Sequence, residues 1–128
     1  LYLKSKIKKK KYKKVLFIGV SAGGYAAILF GSLCNVNTVL AFIPRTKLNN
    51  PICKKYGDLA KVINDKTEYI LHGNEKVKNK DDNHHISQCN YLKNFKNVKV
   101  INHKNLNFKK LKQTGELKKY IDDILIND

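Results

Sequence analysis

Ser21 stands in the stretch Gly19-Val20-Ser21-Ala22-Gly23-Gly24, which fits the spacing G-x-S-x-G. A serine held between small residues, where a strand gives way to a helix, is placed for nucleophilic attack. The turn is strained, so a side chain two residues before or after the serine is expected to collide with the adjoining strand or helix. The hydroxyl is thereby presented at a helix N-terminus, where free N–H groups and the helix dipole favour developing negative charge. The Ala22 N–H is the natural first donor to such an oxyanion. A competing reading makes Ser21 only the cap of a helix in a glycine-rich turn. Two phosphate-binding loops are excluded by residue type: no Gly-Lys-Ser/Thr is present, and Ser21 occupies the second glycine position of G-x-G-x-x-G.

A serine hydroxyl needs a base, and the base needs a group that orients it. After a turn of this kind the chain order is serine, then acid, then histidine. The acid is expected after the third strand, where Asp82, Asp81 and Glu75 are the candidates. The base is expected after the fourth strand, where His103 follows "VKVIN". His84 and His85 precede or open a helix and read as capping or surface residues, while His72 lies inside a strand and reads as a core histidine. A metal held by His72, His84 and His85 lacks the i,i+4 helical spacing that would support it. Cys34, Cys53 and Cys89 form an odd set without a CxxC pair, which argues against disulfides and zinc and for a reducing, cytoplasmic setting. The chemistry calls for no cofactor.

These residues must be positioned by a scaffold, and the hydropathy pattern supplies one. Residues 2–13 read as a Lys-rich helix with Leu3 and Ile7 spaced to touch a core. "KVLFIGV" (14–20), "TVLAFIP" (38–44), "TEYILHG" (67–73) and "NVKVINH" (97–103) read as strands, the first two buried on both faces. Helices are expected over 23–34, over 53–63, along the face marked by Ile86, Cys89, Leu92 and Phe95, and from about 108 to 126 with a break at Gly115. Four alternations of strand and helix imply an α/β domain with a mostly parallel sheet of about four strands flanked by helices. Sites on such sheets lie at the carboxyl ends of the strands, here the loops after Gly19, Pro44, Gly73 and Asn102.

The 128 residues suffice for one domain. The net charge of +16 invites a polyanion reading, but of 26 basic residues only Arg45 is an arginine. Specific phosphate and base readers favour the arginine fork, so nucleic acid is disfavoured as a partner. Lys, Asn, Ile and Tyr are also what an A/T-rich genome encodes, and the excess charge reads as solvated surface. No apolar run approaches the roughly 18 residues of a membrane span, and no pattern specifies an oligomeric state.

At "VLFIGVSAGGYAAILFGSLCNVNTVLAFIPRT" the chain resembles the α/β-hydrolase superfamily, and more narrowly small bacterial hydrolase-like proteins that accompany surface-polysaccharide or glycan-modification genes. The similarity is dense over residues 12–48 and collinear to about 125, including "KQTGELKKYI". The resemblance implies Ser21 as nucleophile, Ala22 as oxyanion donor and Asp82, just before "NHHI", as the acid. It puts the base shortly before the final helix, where the loop reads "NHKNLNF" with His103 at its head and Asn105 nearer the expected place. It also implies that strands preceding the elbow strand, with a second oxyanion N–H, lie outside this chain. The missing initial Met agrees with an N-terminally truncated domain over 1–128.

The function expected is that of a serine esterase or acyltransferase acting on a small-molecule or glycan-linked acyl group through Ser21, Asp82 and His103. A catalytically inactive hydrolase-like module that binds or scaffolds in surface-polysaccharide biosynthesis is the first alternative. The second is a polyanion-binding domain using the Lys4–Lys14 run, with affinity that falls steeply with salt.

Overall fold

Strand geometry sends neighbouring residues of the continuous apolar runs to opposite faces of a sheet, and both faces are covered. In the computed structural model, which describes residues 2–48 and 54–126, β1 (Leu16–Val20), β2 (Thr38–Phe42), β3 (Glu68–Asn74) and β4 (Val98–His103) form one sheet. All neighbours are parallel and the order follows the chain, β1-β2-β3-β4. Among the described residues five α-helices accompany it: α1 (Tyr2–Lys10), α2 (Ala22–Leu33), α3 (Ser87–Asn90), α4 (Phe108–Thr114) and α5 (Glu116–Ile126). The domain is thus α/β with a four-stranded parallel sheet flanked by helices, as the alternating pattern implies.

The central strand β2 is buried along its whole length. Val39 and Ala41 join Ala27 and Ile28 of α2, Leu71 of β3 and Cys89 of α3 on one face. Leu40 and Phe42 join Leu111 of α4, with Leu117, Tyr120 and Ile121 of α5, on the other. Each large side chain so buried contributes about 1.5–3 kcal/mol. Two buried hydroxyls of the core are matched: Ser32 Oγ donates to the Ile28 carbonyl (2.6 Å) and lies 2.6 Å from the Tyr69 hydroxyl. Thr67 Oγ1 donates to the Val36 carbonyl (2.7 Å).

Three segments differ from expectation. The helix expected over 53–63 is two 3₁₀ turns, Lys54–Tyr56 and Leu59–Lys61 (residue 53 is outside the described residues). Gly57 separates them, and Asp58 caps the second by accepting from the Ala60 N–H at 3.0 Å. The stretch carrying Ile86, Cys89, Leu92 and Phe95 is α-helical only over Ser87–Asn90. Beyond it, Lys93, Phe95 and Val98 each donate to the carbonyl three residues back. A spacing of three is the 3₁₀ period, so the pattern marks the right face and the wrong helix type; all four side chains still pack on the core. In α1, Ile7 reaches the core but Leu3 is exposed. The break at Gly115 is present, with φ 83° in the left-handed region between α4 and α5. No helix among the described residues is long and apolar enough to cross a membrane.

Candidate functional site

β1 delivers Ser21 to the carboxyl edge of the sheet, and two contacts fold the chain sharply there. A Cβ on Gly19 would lie 1.9 Å from the Gly23 carbonyl oxygen, and one on Gly24 would lie 2.9 Å from Pro44 Cβ. Glycine at these two positions lets α2 begin directly against β1 and the end of β2. Gly23, by contrast, faces open space, with nothing within 4 Å of an added Cβ. The expected collision therefore holds two residues before the serine but not two after it, where Gly24 carries the constraint instead.

Ser21 itself has φ 56° and ψ −118°. A non-glycine residue so placed costs about 1–3 kcal/mol and persists only where its surroundings hold it. Its N–H donates to the Phe42 carbonyl at 2.9 Å, which ties the turn to β2. Its hydroxyl makes no capping bond to the helix. Instead Ser21 Oγ lies 2.6 Å from His84 Nε2. The helix-cap reading of Ser21 is thereby set aside by geometry. Ala22 opens α2, so its N–H has no intrahelical acceptor.

His84 reaches the serine because the loop after β3 folds back over the sheet edge. Asp82 Oδ1 accepts from the His84 backbone N–H at 2.8 Å, and the Asp82 carbonyl accepts from His85 at 3.0 Å. His85 then forms a parallel bridge with Asn74 at the end of β3. The Ile86 side chain closes down on Gly73, where an added Cβ would lie 1.9 Å from Ile86 Cδ1. The expectation that His84 is a capping or surface residue is corrected: its ring is the histidine on Ser21.

Asp82 also approaches that ring, with Oδ1 3.6 Å from His84 Nδ1, too far for a hydrogen bond. Both side chains are about two-fifths exposed, at 38% and 43%. Asp82 thus lies beside the imidazole without bonding it and fixes the His84 backbone by a turn. Of the other acid candidates, Asp81 is exposed and its N–H donates to Asn79 Oδ1 at 3.0 Å. Glu75 is exposed, and its N–H donates to the His103 carbonyl at 2.8 Å.

His103, the expected base, is not brought to Ser21. Its Nε2 lies 2.8 Å from His72 Nδ1, and the two rings stack at 5.1 Å. Two facts keep it away. β4 is three strand spacings from β1, about 14 Å. His103 is also in register with Asn74, so it shares the parity of His72 and faces α5, whereas α2 and α3 cover the opposite face. Burial pushes the His103 pKa down, with Glu116 pulling the other way.

His72 is fully buried between Phe42 (4.6 Å) and Tyr120 (4.7 Å), and its Nε2 has no hydrogen-bond partner among the described residues. Burial first, then the charges of His103 and Lys99, hold its pKa down at about 4. It is a core histidine, as expected, and stays neutral at physiological pH. Among the described residues no three His, Cys, Asp or Glu side chains gather as a metal site. Cys34 and Cys89 are free and buried, and Cys53 is outside the described residues.

Sequence reasoning missed His84: which face His103 takes depends on the register of β4 against β3, and no residue spacing gives that register. Compared with known proteins, the chain matches no family model, no curated protein and no solved structure.

Proposed function

We propose that the chain is a serine hydrolase or acyltransferase of the α/β-hydrolase type, with Ser21 as nucleophile and His84 as base. The observation that carries this reading is the 2.6 Å contact between Ser21 Oγ and His84 Nε2, made by a serine in a strained strand-to-helix turn. Ser21 Oγ attacks the carbonyl carbon of an ester while its proton passes to His84 Nε2. The oxyanion that forms is met by the Ala22 N–H at the start of α2. Collapse breaks the bond to the leaving alcohol, which takes the proton from His84 and leaves an acyl group on Ser21. Water or an acceptor hydroxyl, deprotonated by His84, then releases the acyl group by hydrolysis or transfer. Asp82 stabilises the imidazolium through space. The glycan-linked acyl substrate implied by the resemblance fits either outcome. Free, buried Cys34 and Cys89 support a reducing, cytoplasmic setting.

A fluorophosphonate probe tests this directly. The full chain should be labelled at Ser21, the Ser21→Ala variant should not, and His84→Ala should label far more slowly. A folded chain that resists labelling would instead identify a binding module built on a hydrolase-like frame, the reading favoured by the long Asp82–His84 separation.

A further inference from the structure

Charge is unevenly placed along this chain. All ten Asp and Glu residues lie at Asp58 or beyond, whereas eight lysines fall between Lys4 and Lys14. α1 holds Lys4, Lys6, Lys8, Lys9 and Lys10 without an acid. All five are exposed, and none forms an ion pair among the described residues. Such an asymmetry draws the domain toward an anionic surface.

Packing decides which way the helix presents its charge. Ile7 is the α1 residue packed against the core, and at about 3.6 residues per turn Leu3 shares its side. Tyr2, Ser5, Lys6 and Lys9 fall on the other side, where with Lys10 they line a shallow hollow of about 310 Å³. Lys6 Nζ stands 6.0 Å from the centre of the Tyr2 ring. The side nearer the domain carries a different surface. Leu3 joins Ile18 of β1 and Phe30 of α2 around a second hollow, of about 340 Å³, whose lining residues carry no polar side chain. Leu3 is 37% exposed, and Ile18 and Phe30 are 40% each. β1 is an edge strand, so no further strand among the described residues covers this side.

A lysine-covered helix and an open apolar hollow thus meet at Leu3. The headgroup layer of an anionic bilayer matches both at once: it offers negative potential to the lysines and an acyl boundary to the apolar side chains. A nucleic-acid backbone leaves the hollow unmatched, and it is gripped best by the arginine fork, which α1 lacks.

We propose that α1 and the adjoining hollow dock this domain on an anionic membrane surface, at headgroup depth and without a spanning helix. The inference is independent of the serine chemistry. The lysines supply the attraction, and Leu3, Ile18 and Phe30 supply the part that salt does not screen.

The test is co-sedimentation of the full chain with vesicles of phosphatidylcholine alone, or with a third of the lipid replaced by phosphatidylglycerol. In about 0.1 M salt, partition into the anionic vesicles should exceed that into the neutral ones at least about a hundredfold. The triple variant Lys6→Gln, Lys9→Gln, Lys10→Gln should lose about a hundredfold of it, at about fivefold per lysine. Leu3→Gln with Phe30→Gln should lower what survives in about 1 M salt by at least about tenfold. Circular dichroism confirms that both variants fold; should the double variant fail, the lipid comparison and the triple variant decide alone. Equal partition into the two vesicles, no partition into either, or anionic binding that survives in the triple variant overturns the inference. Binding that a folded double variant keeps in full removes the hollow from the site and the membrane with it. Tighter binding of a single-stranded RNA through the same three lysines would then name a nucleic acid as the partner.

Discussion

Ser21 has two histidines within one domain's reach, and their distances and surroundings set unequal roles. His84 Nε2 is within hydrogen-bonding distance of the hydroxyl, whereas His103 Nε2 is engaged by His72 on the other face of the sheet. Removing a positioned base costs about 10²- to 10⁴-fold in rate. His84→Ala should lose that much in esterase rate or probe labelling, while His103→Ala should lose far less. Asp82 stands lower than either the serine or His84 in this ranking. An exposed ion pair is worth about 1 kcal/mol or less, so Asp82→Asn, which keeps the Oδ1 acceptor of the turn, should slow the reaction by no more than about fivefold. Initial rates on the folded variants check the order. A His103→Ala loss as large as that of His84→Ala would return the base to the end of β4.

At the scale of elements, the elbow is a packing problem between β1 and α2 as much as a chemical one. Gly19→Ala would drive its Cβ into backbone at Gly23, where no flexible side chain can give way. Overpacking of this kind costs about 1–3 kcal/mol or more. Gly23→Ala meets nothing and replaces glycine inside a helix, a change worth up to about 1 kcal/mol in the other direction. Thermal unfolding should therefore show Gly19→Ala lowered and Gly23→Ala equal to or above the parent, and the opposite order would refute this account of the turn. The same elements mark what a sequence can reveal. β1, β2 and the small residues from Gly19 to Gly24 are legible because continuous apolar runs and glycines answer to local physics. The break at Gly115 is legible for the same reason. The base is not, because His84 is placed by tertiary contacts: an Asx turn at Asp82, a bridge from His85 to Asn74, and Ile86 seated on Gly73. His103 sits at the end of a strand, where a base is expected from chain order, but strand order and parity put it on the far face. Chain order names the acid and the nucleophile without showing which face a loop returns to.

For the molecule as a whole, the stacked pair of histidines, His72 buried and His103 half-buried, couples folding to pH. His72 is enclosed by Phe42 of β2, His103 of β4 and Tyr120 of α5; the charge of Lys99 also acts on His72, and that of Glu116 on His103. Its pKa in the folded protein is held down at about 4, from an ordinary value of 6.5. Between those two values the unfolded chain binds a proton that the folded chain refuses. Stability therefore rises with pH through that window and is lost as pH falls through it; above pH 6.5 the group is neutral in both states and contributes nothing. At about 1.4 kcal/mol per pH unit the loss approaches about 3 kcal/mol by pH 4, a large share of the 5–15 kcal/mol typical of a domain. His103, shifted down by burial as well, adds in the same direction. The net charge of +16 at pH 7 also grows in acid, and its self-repulsion destabilises every variant alike. Urea unfolding at pH 7.5 and at pH 4.5, for the parent and for His72→Phe, separates the two effects. The parent should lose more stability than the variant across that interval. Equal losses would assign the acid sensitivity to the surface lysines and carboxylates, and not to the histidine under α5.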